Sequence, residues 1–261
     1  EILKVIPESF TVDFETGVKN PIGMSARKLE VTAHIFSMNL NVLNNIRKAI
    51  ADVGIEIYDV YPNLLSCPEG VLTKRQKELG VVCIDIGAST TGLTVYEEGV
   101  LKYSTVIPIG GDSVTNDIAL WVRSSIDIAE KLKVEQSYIT LSEDEPLADK
   151  SYDLSGLNMW EQWEISLNYL SQIVTARYEE ILSFIQEQLK YIWKDGMLPE
   201  WAIFVGWGVK EQWFLELAKK RLRLPAFIGV PHSEDDMLDT SISDPVFASV
   251  IWTLILANKY S

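Results

Sequence analysis

The stretch that most constrains this chain is Gly80-Val81-Val82-Cys83-Ile84-Asp85-Ile86-Gly87-Ala88-Ser89-Thr90-Thr91-Gly92-Leu93-Thr94-Val95-Tyr96. A short apolar run reads as a buried strand that reaches a carboxylate, then a turn of small and hydroxyl residues, then a second strand. A carboxylate at a strand end can hold a hydrated magnesium ion. Small residues after it let backbone N–H groups approach an anion closely, and Ser and Thr hydroxyls add donors. Asp85, Gly87, Ala88, Ser89, Thr90 and Thr91 therefore fit a phosphate-binding hairpin. An ordinary β-hairpin with a polar tip fits the same residues equally well, and the rest of the chain has to decide.

The surroundings predict a folded α/β protein. With 261 residues, 47% of them hydrophobic, the chain can bury one large core or two modest ones. A net charge of −14 disfavours sequence-independent binding to nucleic acid, which needs Lys and Arg to displace counterions. Cys67 and Cys83 give neither a disulfide framework nor a metal-ligand spacing, which points to a reducing compartment such as the cytoplasm. The apolar run 246–257 is too short to span a bilayer and reads as a buried helix. The chain opens at Glu1 inside a strand-like segment, so residues are expected to be missing before it.

Along the chain, alternation predicts strands over 2–6 and 29–36, helical spacing predicts a helix over 39–53 stopped by Gly54, and a short strand is expected over 55–60. Three strands joined by tight turns follow over 80–110, the third over 101–109, with Asp112 or Ser113 capping a helix to about Arg123. The run Glu143-Asp144-Glu145 reads as a solvated face. A long amphipathic helix is expected over 164–193, a strand over 202–205, the turn Gly206-Trp207-Gly208, a helix over 210–222 and a strand over 226–230. Ser243-Asp244-Pro245 starts the last helix. Three antiparallel strands followed by a helix is the opening unit of ribonuclease-H-like folds, which include actin, Hsp70 chaperones and sugar kinases.

Dispersed motifs then carry a family. Val5-Ile6-Pro7, Asn20-Pro21-Ile22-Gly23-Met24, Lys77-Glu78-Leu79-Gly80-Val81, Gly110-Gly111-Asp112 with Val114-Thr115-Asn116-Asp117-Ile118-Ala119, Ala176-Arg177-Tyr178-Glu179-Glu180-Ile181 and Asp244-Pro245-Val246-Phe247-Ala248 make the chain resemble the FtsA family of actin-like bacterial division proteins. The stretch 110–119 is the most specific and argues against Hsp70 or a sugar kinase. The resemblance implies an actin-like (ribonuclease-H-like) ATPase fold with a 1C tail and an inserted 2B subdomain. Its divisions would be the end of 1C at 1–37, the second part of 1A at 38–70, 2A at 71–105, 2B at 106–183, the 2A return at 184–238 and a C-terminal 1A helix at 239–261. It also implies ATP and Mg2+ as ligands, with Asp85 on the metal and 87–91 on the phosphates. Glu130 and Lys133 would border the adenosine, although their spacing alone reads as a surface i,i+3 ion pair. Gly206, Trp207 and Gly208 would form the adenosine turn, and Arg177 would contact FtsZ, although an exposed arginine without that role fits as well. The whole protein would self-associate into filaments and tether the FtsZ ring to the inner face of the cytoplasmic membrane at the division site, through a segment beyond this chain.

Two departures from the family pattern matter. Ala88 and Ser89 stand where glycines are usual, and Gly92 stands where the family carries aspartate, which makes ATP binding more credible than hydrolysis, with at most weak ATPase activity. The wording Asp85-Ile86-Gly87-Ala88-Ser89 is also similar to PilM, an actin-like protein of type IV pilus assembly, and a PilM-like scaffold is the alternative. All eight tryptophans fall after residue 120, and Trp121, Trp193, Trp201, Trp207, Trp213 and Trp252 align with family glycines. Either UGA is read as glycine in the source lineage, or the indoles are genuine and fill the nucleotide site of a degenerate scaffold.

Overall fold

The computed structural model describes residues 1–136, 151–153, 164–193, 200–209, 212–231 and 244–260. The acidic run 143–145 lies outside them. The central element is β4 (Val81–Ile86), whose apolar residues leave almost nothing exposed on either face. It pairs antiparallel with β5 (Thr91–Glu97), which pairs antiparallel with β6 (Val100–Ile107). On its other side β4 runs parallel to β9 (Trp201–Val205), and β9 runs parallel to β10 (Ala226–Ile228), giving the order β10-β9-β4-β5-β6.

Strand period two divides the core in half. Val82, Ile84 and Ile86 face a large apolar cluster built with α4 (Gly111–Val122), α5 (Ile126–Gln136), α6 (Leu167–Trp193) and α7 (Gln212–Leu222). Val81 and Cys83 face a smaller cluster formed with α2 (Asn63–Val71) and Ala248 at the start of α8 (Ala248–Tyr260). Asp85 shares this second parity, and so points towards α2. Pro68 lies inside α2 and has no N–H for the carbonyl of Leu64; the Thr94 hydroxyl of β5 donates to that carbonyl instead at 3.0 Å. Gly70 lets α8 cross α2 closely, since a Cβ there would lie 2.3 Å from the Ala248 carbonyl oxygen.

A second, three-stranded sheet of β1 (Ile2–Val12), β2 (Glu15–Val18) and β3 (Leu29–Ser37) has the order β2-β1-β3. It meets the main body through Phe36 and Ile6, which pack in the smaller apolar cluster, and through polar contacts such as Lys4 to Asp59 at 2.8 Å, Lys102 to Glu8 at 3.2 Å and His34 Nε2 to the Leu101 carbonyl at 3.0 Å. A two-stranded hairpin of β7 (Ser151–Asp153) and β8 (Glu164–Ser166) precedes α6.

Several expectations shift. The segment 55–60 is not a strand: its alternation is strand-like, but among the described residues no neighbouring strand takes its amides. Helix α1 (Leu40–Asp52) is capped by the Asn39 side chain, while α3 (Lys74–Leu79), with its Thr73–Gln76 capping box, and α2 were unforeseen. The helix expected from Asp112 or Ser113 begins at Gly111, and its N-cap Gly110 contributes no side chain. The last helix opens as a 3-10 turn, Pro245–Phe247, capped by Asp244 accepting from the Val246 amide at 3.0 Å.

Candidate functional site

Parallel pairing of β4 with β9 sets the site. Asp85 is in register with Val205, so the chain leaves β9 at Gly206 beside the carboxyl end of β4. Open α/β sheets bind ligands outside such strand ends. Gly206 sits at φ +98°, and a Cβ there would lie 2.4 Å from the Ile86 carbonyl oxygen and 2.8 Å from Asp85 Oδ1. Only glycine satisfies both the dihedral and the approach. Asp85 Oδ2 accepts from the Cys67 thiol at 3.4 Å. Burial pushes the Asp85 carboxyl above its usual range, and the thiol only partly opposes that.

The hairpin tip is fastened to the start of α4. The Gly111 amide donates to the Gly87 carbonyl at 2.9 Å and the Asp112 amide to the Ala88 carbonyl at 2.7 Å. Those carbonyls do the capping that a side chain was expected to do, which is why neither Asp112 nor Ser113 is the N-cap. The Ser89 hydroxyl adds a bond to Asp112 Oδ2 at 2.6 Å. Gly87 donates its own amide to the Thr90 carbonyl, whereas the amides of Ala88, Ser89 and Thr90 donate to no protein group among the described residues. Thr91 is different from its neighbours: its buried hydroxyl donates to the Ile109 carbonyl at 2.8 Å and so braces the hairpin from within.

Glu130 and Lys133 do pair at i,i+3, at 2.6 Å, but the pair is not a detached surface feature. Lys133 Nζ also donates to the Thr115 hydroxyl at 2.8 Å and to the Gly111 carbonyl at 3.3 Å, so α5 joins the same corner as the hairpin. Gly208 completes the corner, since a Cβ there would lie 3.1 Å from Ile86 Cγ2 and 3.2 Å from the Tyr178 hydroxyl. The structure thus gathers Asp85, the 87–91 hairpin, Glu130, Lys133 and the 206–208 turn. Arg177 stands apart: its guanidinium grips both oxygens of Asp117 on α4, at 2.6 and 2.9 Å, and also pairs with Glu180. Sequence reasoning missed Cys67, Thr115 and the role of Gly110-Gly111. The Gly111–Thr115 spacing of four on one helix face was the available signal for Thr115.

A cavity of about 760 Å³ is lined by Asp85, Gly87, Ala88 and Thr90 together with apolar residues such as Leu43 and Leu64. Among the described residues no cluster of three or more His, Cys, Asp or Glu could cage a metal. One carboxylate beside free amides fits Mg2+ held through a carboxylate, phosphate oxygens and water. Of the described tryptophans, Trp207 is 71% exposed, and Trp213 is half-buried edge-on to Tyr178, its buried Nε1 without a hydrogen-bond partner among the described residues. Trp121, Trp201, Trp207, Trp213 and Trp252 all lack positive φ, so their backbones do not demand glycine.

The family profile "Cell division protein FtsA" matches residues 82–251, and "SHS2 domain inserted in FTSA" matches residues 1–37. The Cell division protein FtsA of Pseudomonas aeruginosa is 30% identical over 254 residues, covering 97% of this chain and 60% of the relative. That of Bacillus subtilis is 29% identical over 235 residues, covering 88% and 53%. The chain therefore spans about three fifths of the length of the curated relatives it matches. Among solved structures, the PilM-PilN type IV pilus biogenesis complex matches with TM-score 0.69 at 14% identity, covering 97% of this chain and 65% of the other. MreB 5 of Spiroplasma citri bound to AMPPNP matches with TM-score 0.63 at 16% identity, covering 86% and 66%. These likenesses establish the actin-like fold. The chain belongs to the FtsA family of cell division proteins.

Proposed function

We propose that this FtsA-family chain is part of a cell division protein that binds Mg2+–ATP at the corner formed by β4, the hairpin and the 206–208 turn. The observation that carries the reading is the close approach of Gly206 to both Asp85 Oδ1 and the Ile86 carbonyl, which brings the ends of the two parallel strands together around one carboxylate. When bound, the cation would neutralise the phosphates and reverse the burial penalty on Asp85. Asp85 holds the cation, the amides of Ala88, Ser89 and Thr90 face the phosphates, and Glu130 and Lys133 flank the nucleoside. Gly206 and Gly208 keep the turn low. Trp207 projects into solvent, which favours a nucleotide-compatible turn over a filled one.

In the whole protein, ATP acts mainly as a ligand that favours one lobe arrangement. That arrangement self-associates into filaments and tethers the FtsZ ring to the cytoplasmic membrane at the septum. The six subdomain divisions given from the resemblance, from 1C at 1–37 to the 1A helix at 239–261, are part of this proposal. Among the described residues no helix is long and apolar enough to cross a membrane.

Titration of the full-length protein with a fluorescent ATP analogue, with and without Mg2+, tests the site. The wild type is expected to bind more tightly with Mg2+, and Asp85→Asn to lose that gain. Co-sedimentation with FtsZ tests the partner. Absence of nucleotide binding, with FtsZ still bound, would make the protein a nucleotide-free scaffold.

A further inference from the structure

We infer that Cys67 is a positioning residue for Asp85, holding one carboxylate oxygen so that the other faces the Gly206 turn; this rests on the nucleotide reading above. The two oxygens of Asp85 have separate surroundings. Oδ2 takes the Cys67 thiol at 3.4 Å, on the α2 side. Oδ1 lies towards Gly206, 2.8 Å from where a Cβ would stand. An unrestrained carboxylate rotates about its last torsion, which is broad and two-fold. A donor fixed on one oxygen removes that freedom and leaves the second oxygen for a ligand.

The thiol is itself fixed. Cys67 is 4% exposed, and the helix that carries it is held from two sides. Helix α2 is pinned to β5 by Thr94 on the Leu64 carbonyl, and to α8 by the contact at Gly70. Cys67 is therefore held in place by α2 where its thiol meets Asp85 at the end of β4. Buried and 3.4 Å from a carboxylate oxygen, the thiol is the S–H donor of that contact. The same contact predicts that serine, a better donor of similar size, serves at position 67, whereas alanine does not.

Two measurements on the full-length protein test this. In the first, affinity for a fluorescent ATP analogue is measured in Mg2+ and in EDTA. Cys67→Ala is expected to cut the Mg2+-dependent gain by about fivefold while leaving affinity in EDTA within about twofold, and Cys67→Ser to retain the gain. An undiminished gain in Cys67→Ala, or equal losses with and without Mg2+, overturns the inference, because a packing defect would act on both. In the second, a double-mutant cycle of Cys67→Ala and Asp85→Asn is read by urea unfolding, with an expected coupling of about threefold or more in the unfolding equilibrium. No coupling also overturns the inference. Coupling without Mg2+-dependent binding in the wild type keeps the Cys67–Asp85 contact and refutes the nucleotide reading.

Discussion

Replacing Gly110 with alanine is expected to pry the hairpin tip off α4. Gly110 has φ −161°, an extended conformation open to any residue, so no dihedral strain enters. The obstacle is space: a Cβ would lie 2.5 Å from the Ala88 carbonyl oxygen and 2.6 Å from that of Gly87. Both obstacles are backbone and cannot swing aside like a flexible side chain. Reaching an ordinary van der Waals separation needs a retreat of about 1 Å. That retreat breaks the bonds from the Gly111 amide to Gly87 and from the Asp112 amide to Ala88, now 2.9 and 2.7 Å. Each is worth about 1 kcal/mol net, and more where the donor is left buried without water. Alanine returns about 0.4–1 kcal/mol by stiffening the unfolded chain. The balance is a loss of about 1–3 kcal/mol, read as a lower urea midpoint at constant slope. ATP-analogue affinity should fall too, since the tip amides move with the carbonyls. A midpoint equal to wild type would refute the reasoning, because it would mean that the tip is not seated on α4.

Other consequences can be checked in the same assays. Arg177→Ala leaves Asp117 half-buried without its partner, and should cost about 1–3 kcal/mol in urea unfolding; unchanged stability with lost FtsZ co-sedimentation would instead assign Arg177 to the partner contact. Trp213→Gly should destabilise by about 3–5 kcal/mol, less what is regained by removing its unpaired Nε1, whereas Trp207→Gly should change the midpoint far less because that ring is exposed. If UGA is read as glycine in the native cells, the intact mass of the native protein will show glycine at both positions. Asp59 is held below the usual carboxylate range by its hydrogen bond to Lys4, so its contribution is present above pH 3.8 and lost as pH falls through the lowered folded value. Asp59→Asn should therefore flatten the acid limb of a urea-midpoint profile, by under about 1 kcal/mol because the pair is partly exposed.

The β4–β5 hairpin was legible because its signals are local: an apolar run, a turn of small residues and a period of two. What escaped depends on partners distant in sequence. The start of α4 could not be placed from its own residues, because the groups that cap it are carbonyls at 87 and 88. Cys67 showed in the sequence only that it makes no disulfide framework and no metal-ligand spacing, because the contact that gives it meaning is with Asp85 on another element. Thr90 and Thr91 looked interchangeable. Only the pairing of Thr91 with Ile86 and the position of the Ile109 carbonyl show that one faces solvent and the other braces the fold. The alternation at 55–60 was real, yet a strand exists only where another strand accepts its hydrogen bonds.

The same geometry bears on whether the site turns ATP over. In the β4–β5 register Gly92 is the partner of Asp85, so a side chain at 92 would share the space beside that carboxylate. That space is occupied: a Cβ at Gly92 would lie 3.1 Å from Leu64 Cδ2 and 3.8 Å from Asp85 Cβ. An aspartate there would have to push back an apolar side chain of α2. It would also set a second carboxylate against one whose charged form burial already disfavours. The Leu64 side chain would have to give by a few tenths of an ångström, on a helix whose backbone Thr94 holds at the Leu64 carbonyl. Filling position 92 with glycine and its surroundings with leucine gives a site with one carboxylate and a dry wall. On the proposed nucleotide reading, such a site would give a hydrolytic water no second acceptor on that wall. If nucleotide binds as proposed, Gly92→Asp is expected to weaken that binding by crowding Leu64, and Leu64→Ala beside it to relieve the loss, as read with the fluorescent ATP analogue.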